Sequence, residues 1–465
     1  MNIHWAIPGW RMASLFIVCV LAFSTTRAQS NAYATPDRQP AVYALTAKEA
    51  VAFARKNNIL VKKALQDVLL QQQVNREVTA SALPQVDGSL NYTNNLKLPV
   101  SLLPAEFFGG TPGTYIPIKF GVQHTSTIGA TLNQVLFDGQ VFVGLQAREA
   151  SMDYARKAAE ITEETVAVNV YKVYYQLLIA HQQLNLYHEN IVRFEKLYHD
   201  TREIYKNGFA EQLDVDKVNV TLTNLRTDSI KLRTQINTGF LGLKMLMGIP
   251  MRDSIVQTDV LTGDMLKKDI LDTAFRYDDR REFQLLQIGK RLNEYNVKRY
   301  KYSYLPSLSG FGQYFTNAQR NSFDFFKSGG DWFQQGAVGI RLSVPIFDGF
   351  RRDAQIKQAR FNVQKIDLDI ENTKLQIDND VAAAWQRMRD AVIAVDAQKE
   401  NVALAEKVYE QTKKKYEQGL GSNTEINTAQ TEMRTAQTNF FSSLYDATIA
   451  RIDYLKATGK ILNDQ

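Results

Sequence analysis

Apolar residues recur at alternating spacings of three and four along two long segments of the chain. The positions in the first segment are Val170, Val173, Leu177, Ala180, Leu184, Tyr187, Ile191, Phe194 and Tyr198. The corresponding positions in the second segment, 211 residues later, are Val381, Ala384, Met388, Ala391, Val395, Gln398, Val402, Ala405 and Tyr409. This spacing is typical of helices that pack along one seam, as in a coiled coil. It predicts two very long helices, and a continuous helix from Gly139 to Gly208 would measure about 100 Å at ~1.5 Å per residue.

A similar glycine turn interrupts each helical segment. The first turn contains the sequence YKNG, which ends at Gly208, and the second contains YEQG, which ends at Gly419. Glycine can adopt the positive φ of a tight reversal, and Ser422, Asn423 or Thr424 can cap the helix that returns. We therefore expect two helical hairpins, with turns at 206–212 and 417–423.

Alternation of apolar with small or polar residues predicts strands ahead of each long helix. The clearest apolar series is Val338, Ile340, Leu342, Val344 and Ile346. We expect one β-hairpin within 83–137 and another within 305–347, each with an aromatic-rich connection. Both lead into a helix through an FDG sequence, and the residues of these strand exits are Asp138, Gly139, Asp348 and Gly349. Such strands fit half of a soluble sandwich, but in an exported chain their length and aromatic rims favour a membrane barrel.

The predicted elements form two similar halves. SALPQVDGSLNY at 81–92 resembles SYLPSLSGFGQY at 303–314, and GATLNQVLFDGQ at 129–140 resembles GIRLSVPIFDGF at 339–350. Repetition of a whole helix–hairpin–helix unit indicates an internal duplication. The expected organisation is a tail at 29–45, repeat 1 at 46–250, a linker at 251–270, repeat 2 at 271–460 and a tail at 461–465. Each repeat is expected to begin with an amphipathic helix, at about 46–79 and 271–302.

The N-terminus predicts export. Arg11 precedes the largely apolar sequence MASLFIVCVLAF, and Thr26 and Ala28 occupy the −3 and −1 positions of a cleavage site. We expect residues 1–28 to be a signal peptide. A lipoprotein reading would use Cys19, the only cysteine, but Val18 before it is not a small residue.

Composition narrows the class of protein. Hydrophobic residues make up 45% and charged residues 22% of the chain, which excludes a disordered chain and a polytopic helical membrane protein. The formal net charge of +6 is too weak and dispersed to indicate nucleic acid as a partner. After the leader, no apolar stretch reaches the ~18–20 residues of a membrane helix.

Four predicted strands cannot close a membrane barrel by themselves. An open sheet edge in hydrocarbon leaves backbone N–H and C=O groups unpaired, at several kcal/mol each. Membrane barrels need about eight strands or more. Several copies must therefore combine, and about twelve strands leave room for a lumen whereas about eight do not.

The mature chain resembles the TolC-like outer-membrane efflux protein family over nearly all of its length. The features that carry the resemblance are the leader, the duplicated halves, the LPxxxGxxxY strands, the FDG exits and the glycine turns. The resemblance implies a mainly α fold with membrane β structure, in an internally duplicated protomer. Three protomers would form a 12-stranded β-barrel continued by a 12-helix α-barrel, with an equatorial belt that includes the linker at 251–270. The implied function is a passive exit duct from the periplasm through the outer membrane, in a tripartite efflux pump or a type I secretion system. The implied partners are two further copies, outer-membrane lipids, a periplasmic membrane-fusion adaptor and an inner-membrane transporter of the RND, ABC or another class.

The resemblance also implies a pore constriction beside the second turn. The first acidic position of the family falls on Glu425, the second on Thr428, which is not acidic, and the basic position on Gly421. In repeat 1, Asp214 matches a tip aspartate, with Asp216 close by. We hypothesise a ring of three Glu425 carboxylates, with Asp214 as a further member, that attracts cations. The turn residues expected to meet the adaptor are Gly208, Phe209, Gly419, Leu420, Gly421 and Ser422. On the sequence alone they fit equally well as simple turns of helical hairpins.

No constellation in the sequence indicates an enzyme, a cofactor or a metal site. His181 and His188 are seven residues apart, but no third ligand is placed beside them. The three lysines at 413–415 are expected to be solvated, or alternatively to meet the adaptor or an anionic solute. Two other classes remain: an exported coiled-coil adhesin or scaffold without a pore, which leaves the duplicated strands unexplained, and a periplasmic adaptor, which usually has one helical hairpin.

Overall fold

The computed structural model describes residues 39–259, 275–327 and 329–462. The predicted signal peptide, most of the N-terminal tail, most of the linker and the last three residues lie outside the described residues. The chain divides into an N-terminal unit, Met1–Val42, and a main unit, Tyr43–Gln465. All the described helices belong to the main unit.

Both halves of the main unit contain a strand pair followed by two antiparallel long helices. The elements of the first half are β1 (Val42–Leu45), α1 (Ala47–Asn57), α2 (Ile59–Ala80), β2 (Gln85–Asn94), β3 (Val100–Pro104), β4 (Tyr115–Lys119), β5 (His124–Phe137), α3 (Gly139–Lys206), α4 (Gln212–Met247) and β6 (Ser254–Gln257). Those of the second half are α5 (Arg281–Tyr302), β7 (Ser307–Arg320), β8 (Phe333–Ser343), α6 (Arg351–Glu417) and α7 (Asn423–Ala457). No helix in the described part of the chain is both long enough and apolar enough to cross a membrane.

Two details differ from the sequence prediction. The helix expected at about 46–79 is divided at Asn58, whose side chain caps α2 by accepting from the Leu60 backbone N–H at 2.7 Å and donates to the Leu246 carbonyl at 2.6 Å. The connection between β2 and β5 contains a separate two-stranded sheet, β3 with β4, where an aromatic-rich loop was expected.

The four long strands form one antiparallel sheet in the order β2–β5–β7–β8. The register places Val86 opposite Leu132, Ala130 opposite Tyr314 and Gly312 opposite Val338. Because side chains alternate between the faces of a strand, one face of this sheet is apolar and the other is mostly polar or small. In the described residues β2 and β8 each pair on one side only, so they are the two edges of the sheet.

The long helices pack along the seam that the sequence predicts. Every seam position on α3 and on α6 is buried or half-buried. One hydrophobic cluster joins α1, α3 and α4 through Ala50, Val170 and Leu243. A second cluster joins the two halves, because Phe194 of α3 and Ile426 of α7 belong to it. The predicted seam is therefore packed between helices, and this packing links one helical hairpin to the other.

Candidate functional site

The turn of the first helical hairpin exposes an aromatic side chain. Helix α3 ends at Lys206, and Gly208 has a φ of 79°, which a residue with a Cβ rarely adopts. The next residue, Phe209, has 85% of its surface exposed. Helix α4 begins with a capping box in which the Glu211 backbone N–H donates to Asp214 Oδ2 at 3.4 Å. Asp214 is therefore part of the N-terminal cap of α4 in this chain.

The second hairpin has the same construction. Gly419 has a φ of 71°, and the next residue, Leu420, is 72% exposed. Ser422 caps α7, since its hydroxyl accepts from the Glu425 backbone N–H at 3.2 Å. Gly421 lies close to the last turn of α6, with Tyr416 N 3.1 Å from where a Cβ would stand. Both turns thus present one apolar side chain directly after a glycine with positive φ.

The structure gives Glu425 a partner that sequence reasoning missed. Lys415 Nζ lies 3.4 Å from Glu425 Oε2, and both side chains are about half exposed. This cation comes from the last turn of α6, and not from Gly421, where the resemblance implies a basic position. The three lysines at 413–415 were expected to be solvated or to meet an adaptor or solute. An antiparallel helical hairpin brings its last and first turns together, and that geometry was the available signal.

The four predicted constriction residues separate into different environments. Asp216 and Thr428 line one groove of about 570 Å³ between the first turns of α4 and α7, together with Leu213 and Glu432. Asp216 Oδ1 also accepts from Gln212 at 2.8 Å. Asp214 and Glu425 are not among the residues that line this groove. The single chain therefore brings Asp216 and Thr428 together and leaves Glu425 beside Lys415.

The strand exits serve as helix starts. Asp138 caps α3, accepting from the Gln140 and Val141 backbone N–H groups at 2.7 and 3.3 Å. Asp348 accepts from the Arg352 backbone N–H at 3.1 Å. The remaining two exit residues are glycines: a Cβ on Gly139 would stand 2.8 Å from the Tyr302 carbonyl oxygen, and Gly349 has a φ of 66°.

The two histidines that are seven residues apart, His181 and His188, both lie on α3. The ring of His181 packs at 5.6 Å from the ring of Phe240. In the part of the chain that the structure describes, no group of three His, Cys, Asp or Glu residues could hold a metal ion.

The sheet built from two repeated strand pairs, the paired long helices and the open sheet edges are typical of the outer-membrane channel-tunnel class. The chain belongs to the family described as outer membrane efflux protein, which it matches over residues 50–249 and 280–460.

Curated relatives and solved structures agree with this assignment. The outer membrane efflux protein BepC of Brucella suis is 21% identical over 426 residues, covering 90% of this chain and 86% of BepC. The outer membrane protein TolC of Vibrio cholerae is 20% identical over 336 residues, covering 72% and 76% of the two chains. The CmeC outer membrane channel of Campylobacter jejuni superimposes with a TM-score of 0.71 at 18% identity, covering 89% of this chain and 85% of CmeC. The MtrE channel of Neisseria gonorrhoeae gives 0.67 at 16% identity, covering 90% and 89%.

Family and fold together establish the class, the location and the general function. The chain has the internally duplicated, mainly α fold of the protomer of trimeric TolC-like channels. It is an outer-membrane efflux or secretion channel protein, with its helices in the periplasm. These findings do not favour the alternative of an adhesin or scaffold without a pore. The family and the fold are those of channels and not of enzymes.

Proposed function

We propose that three copies of this chain form a passive duct that conducts solutes from a periplasmic tunnel mouth to the exterior. The observation that carries the proposal is the four-stranded sheet with its apolar face and two unpaired edges, β2 and β8. In contact with outer-membrane lipids, such edges would each leave a row of unsatisfied backbone groups. Three copies supply twelve strands, which close the sheet around a lumen.

The two hairpin turns are the proposed docking site for a periplasmic membrane-fusion adaptor. Phe209 and Leu420 are exposed side chains at equivalent turns, and apolar surface of this kind is stabilised by a partner. Their neighbours in the proposed site are Gly208, Gly419, Gly421 and Ser422. The adaptor would connect the duct to an inner-membrane transporter of the RND, ABC or another class. The names of the relatives include both efflux and protease secretion proteins, so both systems are retained in the proposal.

Glu425 is the proposed centre of the pore constriction. Three copies would place three Glu425 carboxylates around one axis, each beside its own Lys415. Like charges that converge repel one another and attract cations from the solution. Asp214 and Asp216, at the start of α4, would add negative charge near the same mouth, and Thr428 would supply a neutral hydroxyl in the groove.

Single-channel recording in planar bilayers tests both the duct and the constriction. The wild-type protein should insert from detergent and conduct cations in preference to anions. Glu425→Gln should lower the cation preference and change the conductance, because it removes three charges from one ring. Glu417→Gln is the matched control, since Glu417 is an exposed carboxylate at the end of α6. Unchanged selectivity in Glu425→Gln would remove the ring, and a protein that stays monomeric without detergent would remove the duct.

A further inference from the structure

The two edge strands of the sheet carry opposite charges. Asp87 is the only charged residue of β2, and Arg341 is the only charged residue of β8. Among the four strands of the sheet the one other residue with a full charge is Arg320, at the end of β7, and it lies 3.5 Å from Asp324. In the described ranges neither Asp87 nor Arg341 belongs to an ion pair of 4.0 Å or less. The unpaired charges of this sheet are therefore confined to its edges.

Both charges lie on the same face of the sheet. The register runs from Asp87 to Thr131, then to Gln313, and then to Ala337 on β8. Arg341 follows Ala337 by four residues, and residues an even number apart in a strand share a face. This face is the polar one, which would line the lumen, while Val86 and its neighbours form the apolar face.

Asp87 and Arg341 cannot meet within one copy. Three strand spacings separate β2 from β8, which is about 14 Å at 4.7–4.9 Å per spacing. The guanidinium of Arg341 lies 5.4 Å from the centre of the Phe311 ring, which supports the side chain on the polar face. A carboxylate partner for Arg341 must come from beyond the β8 edge.

The handedness of the sheet decides what lies beyond that edge. The Asn95 backbone N–H donates to the Gln123 carbonyl at 2.7 Å, so odd-numbered residues of β2 direct their backbone groups towards β5. With L-amino acids, and seen from the apolar face with β2 running upwards, this places β5 to the left of β2. The strands of one copy therefore follow one another to the left in the order β2, β5, β7 and β8. The β2 strand of the next copy then lies to the left of β8.

The tilt of a closed barrel then brings the two charges together. A tilt of 35–45° advances the register by about 1.0–1.5 residues per strand, or about four to six residues over the four strands of one copy. Because strands have a right-handed twist, this register shift has a fixed direction. From each strand to the next one on its left, the shift places the next copy's β2 lower relative to β8. A stagger of four residues puts Asp87 of the next copy directly opposite Arg341. A stagger of six leaves the two one diagonal position apart, within reach of an arginine side chain.

We infer that Asp87 of one copy and Arg341 of its neighbour form an ion pair on the lumen face of each β8–β2 junction, so that three such pairs mark the seams of the barrel. The inference rests on the proposed trimer. The pair gives each edge strand a partner of opposite charge and selects the register in which the edges join. A second copy of this chain is thus the partner that the edges fit.

Disulfide cross-linking between copies tests the inference. In a Cys19→Ser background, Asp87→Cys with Arg341→Cys should give a covalent trimer ladder on non-reducing gels after oxidation with copper phenanthroline. Each single cysteine variant should give none of it, because the positions oppose each other and not themselves. The matched control is Thr93→Cys with Arg341→Cys, because position 93 lies on the same face as position 87 but six residues further along β2.

Charge reversal provides a second measurement. Asp87→Arg and Arg341→Asp should each lower the temperature at which the detergent-solubilised trimer dissociates, and the double variant should recover most of that loss. A normal trimer that fails to cross-link, or cross-links equally through position 93, would overturn the inference while leaving the proposed function intact. A wild-type protein that never forms a trimer would overturn the proposed function itself.

Discussion

Two glycines that end helices show how a local signal and a tertiary requirement can share one residue. Gly248 ends α4 with a φ of 69°, and Gly459 follows α7 with a φ of 74°. Stopping a helix requires only the positive φ, which the sequence pattern predicts. The structure adds a second requirement, because a Cβ on Gly248 would stand 2.5 Å from the Asn57 carbonyl oxygen, and Gly459 makes the corresponding approach to Asp279. The start of each repeat is thus packed against its final turn.

Gly248→Ala should lower the stability of the protein more than Gly208→Ala. Both substitutions force a non-glycine residue into the left-handed region, at roughly 1–2 kcal/mol. Gly208 has a φ of 79° and no atom within 4 Å of its Cβ position, so only Gly248→Ala adds a collision with backbone, which costs typically about 1–3 kcal/mol more. Thermal unfolding followed by circular dichroism measures the difference. An equal loss of stability in the two variants would show that the close approach at Gly248 does not contribute to stability.

The candidate site could be predicted in part at the level of single residues. The positive φ of Gly208 and Gly419 follows from local backbone chemistry and is observed, and Ser422 is the one of three candidate residues that caps α7. The pairing of Lys415 with Glu425 depends on how closely α6 and α7 approach, which a one-dimensional pattern does not contain. The roles of these residues in a constriction stay predictions.

At the scale of helices, the seam was predictable and its polar interruptions were not. Asn190 of α3 donates to Gln437 of α7 at 3.3 Å, and Gln437 donates to Glu406 at 3.2 Å. Gln430 is also buried and donates to the Tyr409 hydroxyl at 3.3 Å, while burial raises the pKa of Tyr409. A glutamine on an isolated helix gives no sign that a second hairpin will cover it. The Asn190–Gln437 bond joins the two hairpins, whereas Gln430 bonds to Tyr409 within its own hairpin.

The helical hairpins should tolerate charges at their tips without losing their fold. Phe209→Asp combined with Leu420→Asp changes two exposed side chains, so trimer yield should stay near wild type. Docking of an adaptor should be lost, because each substitution removes about 1.5–3 kcal/mol of apolar burial at the interface. The measurement is export by cells that contain the native partners.

The control for the tip variant is Leu96→Asp, which changes a side chain that is 89% exposed just after β2, away from the hairpin turns. Export should persist in this variant. Normal export by the tip double variant would exclude the turns as the docking site.

At the scale of the whole molecule, the helices have unpartnered faces that match the sheet edges. Helix α2 packs on α3, α3 on α5, and α5 on α6, so α2 and α6 are the ends of this row. Phe361, Leu368 and Leu375 are exposed on α6 at a spacing of seven. Exposed apolar residues also follow α2, and these are Ile59, Leu60, Leu65, Leu69, Leu70 and Val74. Since α2 runs towards the sheet and α6 runs away from it, the two stripes would face each other in adjacent copies of the proposed trimer.

Phe361→Asp combined with Leu368→Asp should prevent or weaken the trimer. Each buried apolar side chain contributes about 1.5–3 kcal/mol at a junction, and a closed ring repeats the loss three times. The measurement is the heat-modifiable trimer band in outer-membrane fractions. Asn362→Asp, which adds a charge at an exposed neighbour on the same helix, should leave the band unchanged. A trimer as stable as wild type in the double variant would exclude this stripe from the junction.

The sequence by itself determined the features that depend on periodicity and local backbone chemistry. These are the duplicated halves, the long helices with their common seam, the alternating strands and the glycine turns. Each is encoded by neighbours in the chain, because a helix repeats every 3.6 residues and a strand every two. Only the tertiary structure decided which groups from distant segments meet: Asn58 with the Leu246 carbonyl, the Lys415–Glu425 pair, the buried amides between hairpins, and the placement of Asp87 and Arg341 on opposite edges of one face. Such contacts depend on register and on the distance between elements, which residues close in sequence do not specify.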